Sequence, residues 1–192
     1  GPAVTTTTDT RHDPADDVDV ERVRSFVNTL DPGGDDELAT ADQLDVWLRE
    51  RALVVGDRAT AADLRLARSL RAGLLAELLA HHGEPPDRSA LGSLDEVAAD
   101  LPLTVSFTGG SRTSTRPALR PAGSGVRGGL AAILASVMAL QADDRWSRLK
   151  ACPDATCLFA FYDASRNRSR RWCSMESCGN RAKVRSYRAR QG

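Results

Sequence analysis

The chain has 192 residues, of which 41% are apolar and 27% are charged, so it is long and apolar enough to form a packed core. Aromatic residues make up only 5%, and a core built mainly from Leu, Ala and Val favours helices over sheet. No apolar run approaches the roughly 18 residues of a membrane span, and no signal peptide is evident, which argues against a membrane protein.

The net charge of zero conceals a strong asymmetry along the chain. Residues 148–192 contain eleven Lys or Arg and three Asp or Glu, a net charge of +8, whereas residues 1–147 carry a net charge of −8. Such a separation predicts that the basic end binds a polyanion, which the acidic part would repel. We therefore expect two units with different roles.

Residues 16–147 predict a mainly helical domain, preceded by a disordered lead-in over 1–15 that begins with what resembles a tag remnant. Apolar residues recur at helical spacing in five segments. The predicted helices cover 16–30, 41–54, 61–82, 93–101 and 128–141. Thr40 and Gln43 supply a capping box for the second helix, and Thr60 is the N-cap of the third.

Between the fourth and fifth helices the pattern changes to that of a β-hairpin. Residues 103–107 alternate apolar and polar, a Gly-Gly turn follows, and residues 111–119 supply a polar second strand. The glycines over 123–128 match the G-x-G-x-x-G pattern, but no βαβ unit surrounds them, so dinucleotide binding is not expected. We interpret this segment as a flexible connection or, together with Arg127 at the start of the fifth helix, as a small-anion site.

The four cysteines lie within 27 residues and follow the spacing C-x4-C-x15-C-x4-C. They are Cys152, Cys157, Cys173 and Cys178. Zinc takes four thiolates in a tetrahedron, and two short loops that each supply a pair achieve this without a large core. Two disulfides are the alternative, but nothing else suggests secretion. The sequence therefore predicts a Zn²⁺ site, and because metal binding is coupled to folding, loss of one cysteine should loosen the chain after Lys150.

Nine Lys or Arg residues lie between residues 166 and 190, more than the charge of a zinc–thiolate cluster requires. This density predicts binding of DNA or RNA, with a solvated basic face or a protein contact as the alternative. The candidate nucleic-acid-binding residues are Arg166, Arg168, Arg170, Arg171, Asn180, Arg181, Lys183, Arg185, Arg188 and Arg190.

Different roles are expected among these candidates. Arg181, Arg185 and Arg188 share one face of the predicted last helix and could read guanine edges. The arginines over 166–170 more plausibly grip phosphates. Asn180 either caps the last helix or bonds an adenine edge, and capping is favoured.

Several runs resemble a known family. Arg170-Arg171-Trp172-Cys173-Ser174-Met175 and Cys178-Gly179-Asn180-Arg181-Ala182-Lys183 resemble the CGNR zinc finger family, and Asp163-Ala164-Ser165-Arg166-Asn167 is similar to its Asp-x-Ser-Arg segment. In that family the finger follows a helical domain called ABATE. The opening motif of that domain is similar to Phe26-Val27-Asn28-Thr29 of this chain.

The resemblance implies a mainly α fold with a β-hairpin, in which a helical ABATE-like domain over 16–147 precedes a four-cysteine zinc finger over 148–192. It implies a zinc-dependent transcription regulator from a bacterium, specifically an actinobacterium. Such a regulator binds double-stranded DNA in the cytoplasm, at the nucleoid. A homodimer would place two fingers on one side and favour a palindromic site.

The helical domain is predicted to dimerise, to sense a small-molecule effector, or both. Asn28 and Trp47 are candidate effector-binding residues together with Arg127, although bonding of a helix end and a place in the core are the simpler roles of the first two. His81 and His82 are interpreted as C-terminal cap residues of the third helix, where a cation is favourable. No catalytic constellation stands out, so no enzyme is expected. The alternatives are a small-molecule-processing enzyme with a structural zinc site, or an RNA- or protein-interaction module.

Overall fold

The structure of the protein is a computed structural model that describes residues 17–107 and 117–190. In chain order the elements are α1 (Val18–Val27), α2 (Ala41–Glu50), α3 (Ala61–Ala80), α4 (Arg88–Ala99), β1 (Leu103–Ser106), β2 (Ala118–Pro121), α5 (Gly125–Ala142), β3 (Leu149–Ala151), β4 (Ala160–Tyr162) and α6 (Asn180–Ala189). A 3₁₀ turn (Trp146–Arg148) precedes β3, and a π-helical turn (Met175–Gly179) precedes α6. The predicted fold class, mainly α with a hairpin and a small four-cysteine finger, is confirmed.

The hydrophobic core joins α1–α5 to the first hairpin of the finger. Helix α5 packs against α1 and β2, while α3 packs against α4 and β3. Leucines and valines from these helices are fully buried, and the ring of Phe26 meets Trp47 edge to face at 5.4 Å. Leu149 in β3 and Ala160 in β4 are also fully buried in this core. The finger hairpin is therefore packed into the helical domain.

Capping side chains set the helix starts. The capping box at Thr40 and the N-cap at Thr60 are present, as predicted, and Thr60 also forms a capping box with Asp63. Helix α4 begins at Arg88 rather than at residue 93, because the carboxylate of Asp87 accepts bonds from the first free amides of that helix. Helix α2 ends four residues earlier than predicted, shortly before Ala52 adopts a left-handed φ of 53°.

β1 and β2 form the antiparallel hairpin between α4 and α5. Leu103 lies opposite Pro121, and the amide of Ala122 donates to Pro102 O at 2.9 Å. Leu103 and Pro121 thus form a non-hydrogen-bonded pair, so the missing proline N–H leaves no gap in the ladder. The second strand therefore ends later than the predicted residue 119, whereas the predicted turn and lead-in lie outside the described residues.

The glycine segment before α5 has a packing explanation. Gly125 has a φ of +66°, and a Cβ there would lie 1.9 Å from a carboxylate oxygen of Asp57. A Cβ on Gly128 would lie 2.7 Å from Gly123 O. Helix α5 starts at Gly125, three residues before the predicted start, because glycine lets the chain turn this tightly.

Helix α5 is 18 residues long with a mean hydropathy of 1.4, so by length and composition alone it could cross a membrane. The expectation that no apolar run approaches that length is therefore wrong. The core helix of a globular domain meets the same criteria, and α5 buries Leu130, Ile133 and Leu140 in the core. Among the described residues no other helix meets them.

Candidate metal centre and nucleic-acid interface

The four cysteines come together at one point of the finger. Their Sγ atoms all lie within 4.8 Å of one another. Cys173 Sγ is 3.5 Å from Cys157 Sγ and 3.6 Å from Cys178 Sγ. Thiolates bound tetrahedrally at about 2.3 Å from zinc lie about 3.8 Å apart, whereas a disulfide brings sulfurs to about 2.05 Å. All four cysteines are free thiols, and their donor set fits a metal site.

The first cysteine pair is carried by the β3–β4 hairpin. The amide of Cys152 donates to Phe159 O at 2.9 Å, and the amide of Cys157 donates to Asp154 O at 2.8 Å. The Asp154 carboxylate accepts from the Thr156 amide at 3.1 Å and from its hydroxyl at 2.8 Å. These bonds to Thr156, reinforced by Arg181, lower the pKa of Asp154 to about 2.

Three side chains of the helical domain hold this hairpin. Asn28 donates to Ala160 O at 3.1 Å and accepts from the amide of Ala160 at 2.7 Å. His81 Nδ1 donates to Leu149 O, and His82 Nε2 donates to Ala151 O, both at 2.7 Å.

The two histidines act differently from what their position suggests. His81 is the C-cap residue of α3, but burial lowers the pKa of both imidazoles, so they serve as neutral donors and not as helix-capping cations. His81 also meets the ring of Trp146 edge to face at 5.1 Å. Periodicity gives no sign of these bonds, because their acceptors belong to a strand 68 and 69 residues away.

A buried ion pair shapes the arginine-rich loop after β4. Lys150 Nζ lies 2.8 Å from Asp163 Oδ2 and donates to Arg168 O at 2.6 Å. Asp163 is fully buried and also accepts from the amide of Ser165 at 3.0 Å and from the amide of Arg170 at 2.9 Å. The Asp-x-Ser-Arg segment thus folds the loop so that its arginine side chains lie outside, around a buried carboxylate.

The second cysteine pair leads into α6. Asn180 Nδ2 donates to Glu176 O at 2.9 Å, in the π-helical turn, so Asn180 bonds the preceding turn and does not cap α6 as expected; Gly179 holds the N-cap position without a side-chain bond. Arg181 Nε donates to Asp154 Oδ2 at 3.1 Å, and its Nη2 lies 3.0 Å from Cys178 Sγ. Arg185 Nη2 lies 3.5 Å from the same Asp154 oxygen. The sequence pattern does not indicate this shared acidic partner of the two arginines.

The remaining candidate cations fall into two groups. Arg170 donates to the carbonyls of Trp172 and Cys173 and stacks over the ring of Phe161 at 4.7 Å. Three more have weaker ties within the finger or to the turn before it. They are Arg168 (to Ser147), Arg171 (over Trp172) and Arg190 (to Ser186). By contrast, Arg166, Lys183 and Arg188 are exposed and make no side-chain hydrogen bond or ion pair with the described residues.

The three candidate effector residues line three different cavities. Asn28 borders an open cleft of about 740 Å³ between α1 and the finger. Trp47 lines a second cavity and is buried beneath the guanidinium of Arg51, and its Nε1 has no hydrogen-bond partner among the described residues. Arg127 lies 3.6 Å from Asp63, and both line a third cavity. The structure therefore does not bring the three into one site.

Fold and site together define a protein in which a helical domain carries a finger with a four-cysteine cluster that fits a metal ion. The CGNR zinc finger family matches residues 148–191, and the ABATE family, described as "Putative stress-induced transcription regulator", matches residues 20–144. Because the second match covers more than half of the chain, the protein belongs to the ABATE family, as its sequence resemblance predicted. Among curated proteins, none matches this sequence.

Proposed function

We propose that the protein is a zinc-dependent transcription regulator whose finger binds double-stranded DNA in the bacterial cytoplasm, at the nucleoid. The observation that carries this proposal is α6. None of its residues is buried, although four of its ten residues are Arg or Lys. Apolar packing does not explain such a helix, whereas an exposed cationic helix suits the major groove and its phosphates.

The metal site supports the same proposal. The four cysteines would hold a zinc ion, which supplies folding energy by tying the turn 175–179 to the loop 152–157. Without that link α6 would lose its place beside the hairpin. In the zinc-loaded finger Arg181 would act mainly on the cluster, since it contacts both Asp154 and Cys178.

The contacts divide the DNA-binding role among the candidate residues. Arg188 continues the face of Arg181 and Arg185 one turn further along α6 and has no acidic partner among the described residues. We therefore expect Arg188, with Lys183 and Arg166, to make the strongest contacts to DNA. Arg170 would hold the finger together, and Asn180 would bond α6 to the turn before it.

A regulator is a better account of this chain than an enzyme. Thiols and imidazoles are the side chains most often used as nucleophiles and bases. In the described part of the chain the thiols form the four-cysteine cluster, and both imidazoles donate to β3 carbonyls. These groups therefore have structural partners, which agrees with the regulatory description of the ABATE family.

For the effector role we propose the cleft beside Asn28. Its walls come from both the helical domain and the finger. They include Glu21, Asn28, Arg51, Phe161, Arg170 and Cys173. A small molecule bound there would contact both the helical domain and a metal ligand, which is what a sensor of this architecture requires. The homodimer stays a prediction from the sequence.

The test is the binding of random-sequence duplex DNA over a range of salt concentrations. Each phosphate contact should contribute about −0.9 to the slope of log affinity against log salt. Arg188→Ala should weaken binding and reduce the magnitude of the slope by about 1. Arg58→Ala is the matched control, because Arg58 is an exposed arginine of the helical domain that pairs with Asp42. Equal losses for both variants would contradict the proposal.

A further inference from the structure

Few contacts fix the direction of α6. Since none of its residues is buried, no apolar core holds the helix. Within the described part of the chain, the Asn180 side chain bonds only the preceding turn, through Glu176 O. Among the described residues, two ion pairs connect α6 with the rest of the finger, and both end on Asp154 Oδ2. Arg181 lies 3.1 Å from this oxygen and Arg185 lies 3.5 Å from it, so one carboxylate pairs with two successive turns of α6.

Asp154 is itself held rigidly. Its side chain is 2% exposed, and its Oδ1 accepts from the amide and the hydroxyl of Thr156. Its carbonyl accepts from the amides of Cys157 and Leu158 at 2.8 and 3.0 Å. These bonds lie in the loop between Cys152 and Cys157, next to the hairpin that the helical domain holds. Oδ2 is therefore held in place, and its ion pairs with Arg181 and Arg185 can fix the direction of the α6 axis.

We infer that Asp154 is the positioning residue that sets the direction of α6 and thereby the sequence preference of the finger, an inference that rests on the proposed DNA binding. DNA phosphates attract Arg181 and Arg185, and the carboxylate opposes that attraction. Without the carboxylate the helix can turn, and two more cations become available to any phosphate. Affinity for arbitrary DNA then rises or stays constant, while discrimination between sequences falls.

The test compares Asp154→Asn with Glu176→Gln in the zinc-loaded full chain. Asn can still accept the Thr156 bonds, so the variant removes mainly the charge that meets the two arginines. Glu176→Gln removes one negative charge from an exposed position of the same finger and leaves this carboxylate intact. A preferred duplex is first selected from a random pool with the wild-type protein, and each variant is then titrated with that duplex and with a scrambled one.

Asp154→Asn should lower the ratio of the two affinities about tenfold or more, without weakening binding to the scrambled duplex. Glu176→Gln should leave the ratio unchanged. A ratio within about twofold of wild type in Asp154→Asn, at one zinc per chain, would overturn the inference.

Amide hydrogen exchange without DNA separates this inference from the proposed function. Exchange over 181–189 should be about tenfold faster in zinc-loaded Asp154→Asn than in wild type. Thr156 is exposed, and Thr156→Ala removes the hydroxyl that bonds the Asp154 carboxylate. This variant should also speed exchange in α6, so it tests the positioning role if Asp154→Asn does not fold. Unchanged protection of α6 would overturn the positioning role. Failure of the wild type to bind any duplex would instead overturn the proposed function.

Discussion

The two halves of the finger are held in different ways. The hairpin half, residues 149–162, is packed into the core of the helical domain and bonded by Asn28, His81 and His82. The second half, residues 171–190, ends in a helix without buried residues. The cysteine cluster and the ion pairs of Arg181 and Arg185 with Asp154 connect this half to the first. Metal binding should therefore contribute more to the stability of residues 171–190, which have little apolar packing, than to that of the hairpin.

The sharpest way to break this comparison is to remove one metal ligand. Cys178→Ser should abolish DNA binding and the amide protection of residues 171–190, while the β3–β4 hairpin stays protected. The sequence alone led us to expect that the whole chain after Lys150 would loosen, whereas the packing of the hairpin limits the expected loss to residues 171–190. Hydrogen exchange measures both halves at once, with Ser186→Ala, at an exposed serine of the same half, as the control. Equal loss of protection in the hairpin would show that the halves do not differ.

The next effect concerns the attachment of the hairpin. Asn28→Ala removes two hydrogen bonds and leaves the buried backbone of Ala160 unpaired, which should lower the free energy of unfolding by about 2–4 kcal/mol. Chemical denaturation of the zinc-loaded chain measures this. Ser25→Ala on the same helix is the control, because among the described residues its hydroxyl bonds only Arg22 O, and it should cost less than about 0.5 kcal/mol. Similar losses in both variants would count against the attachment.

Acidification should act on the same attachment. The folded protein lowers the pKa of His81 and His82, so below about pH 6.5 the unfolded chain takes up protons first. Stability should then fall as the pH decreases from 7 toward 5.5, by at most about 1.4 kcal/mol per pH unit for each histidine. The double variant His81→Gln/His82→Gln can still donate to the β3 carbonyls and should show a shallower decline. Parallel pH curves for the two proteins would contradict this.

The smallest effect on stability distinguishes arginines that make contacts within the finger from arginines that make none with the described residues. Arg166→Ala should change the free energy of unfolding by less than about 0.5 kcal/mol but weaken DNA binding. Arg170→Ala should lower stability by about 1–2 kcal/mol, because Arg170 bonds two carbonyls and covers Phe161. Paired denaturation and DNA titrations check both variants, and a reversed order would mean that their roles are exchanged.

The parts of the structure that depend on local pattern could be predicted from the sequence. Helical spacing, the caps at Thr40 and Thr60, and the cysteine spacing all act within short stretches. The contacts that join the finger to the rest could not be predicted, because their partners are far apart in the chain. Arg181 and Asp154 are separated by 27 residues, and Asn28 and Ala160 by 132. Residue periodicity contains no information about such pairs.

The most direct test is whether DNA binding depends on the metal through α6. A labelled random duplex is titrated with the zinc-loaded full chain, with the same protein after chelation, and after zinc is restored. We expect salt-dependent binding that is lost on chelation and recovered with zinc, in step with the protection of amides 181–189. Equal binding by the metal-free protein, or no binding by the zinc-loaded protein at low salt, would contradict the dependence on the metal through α6.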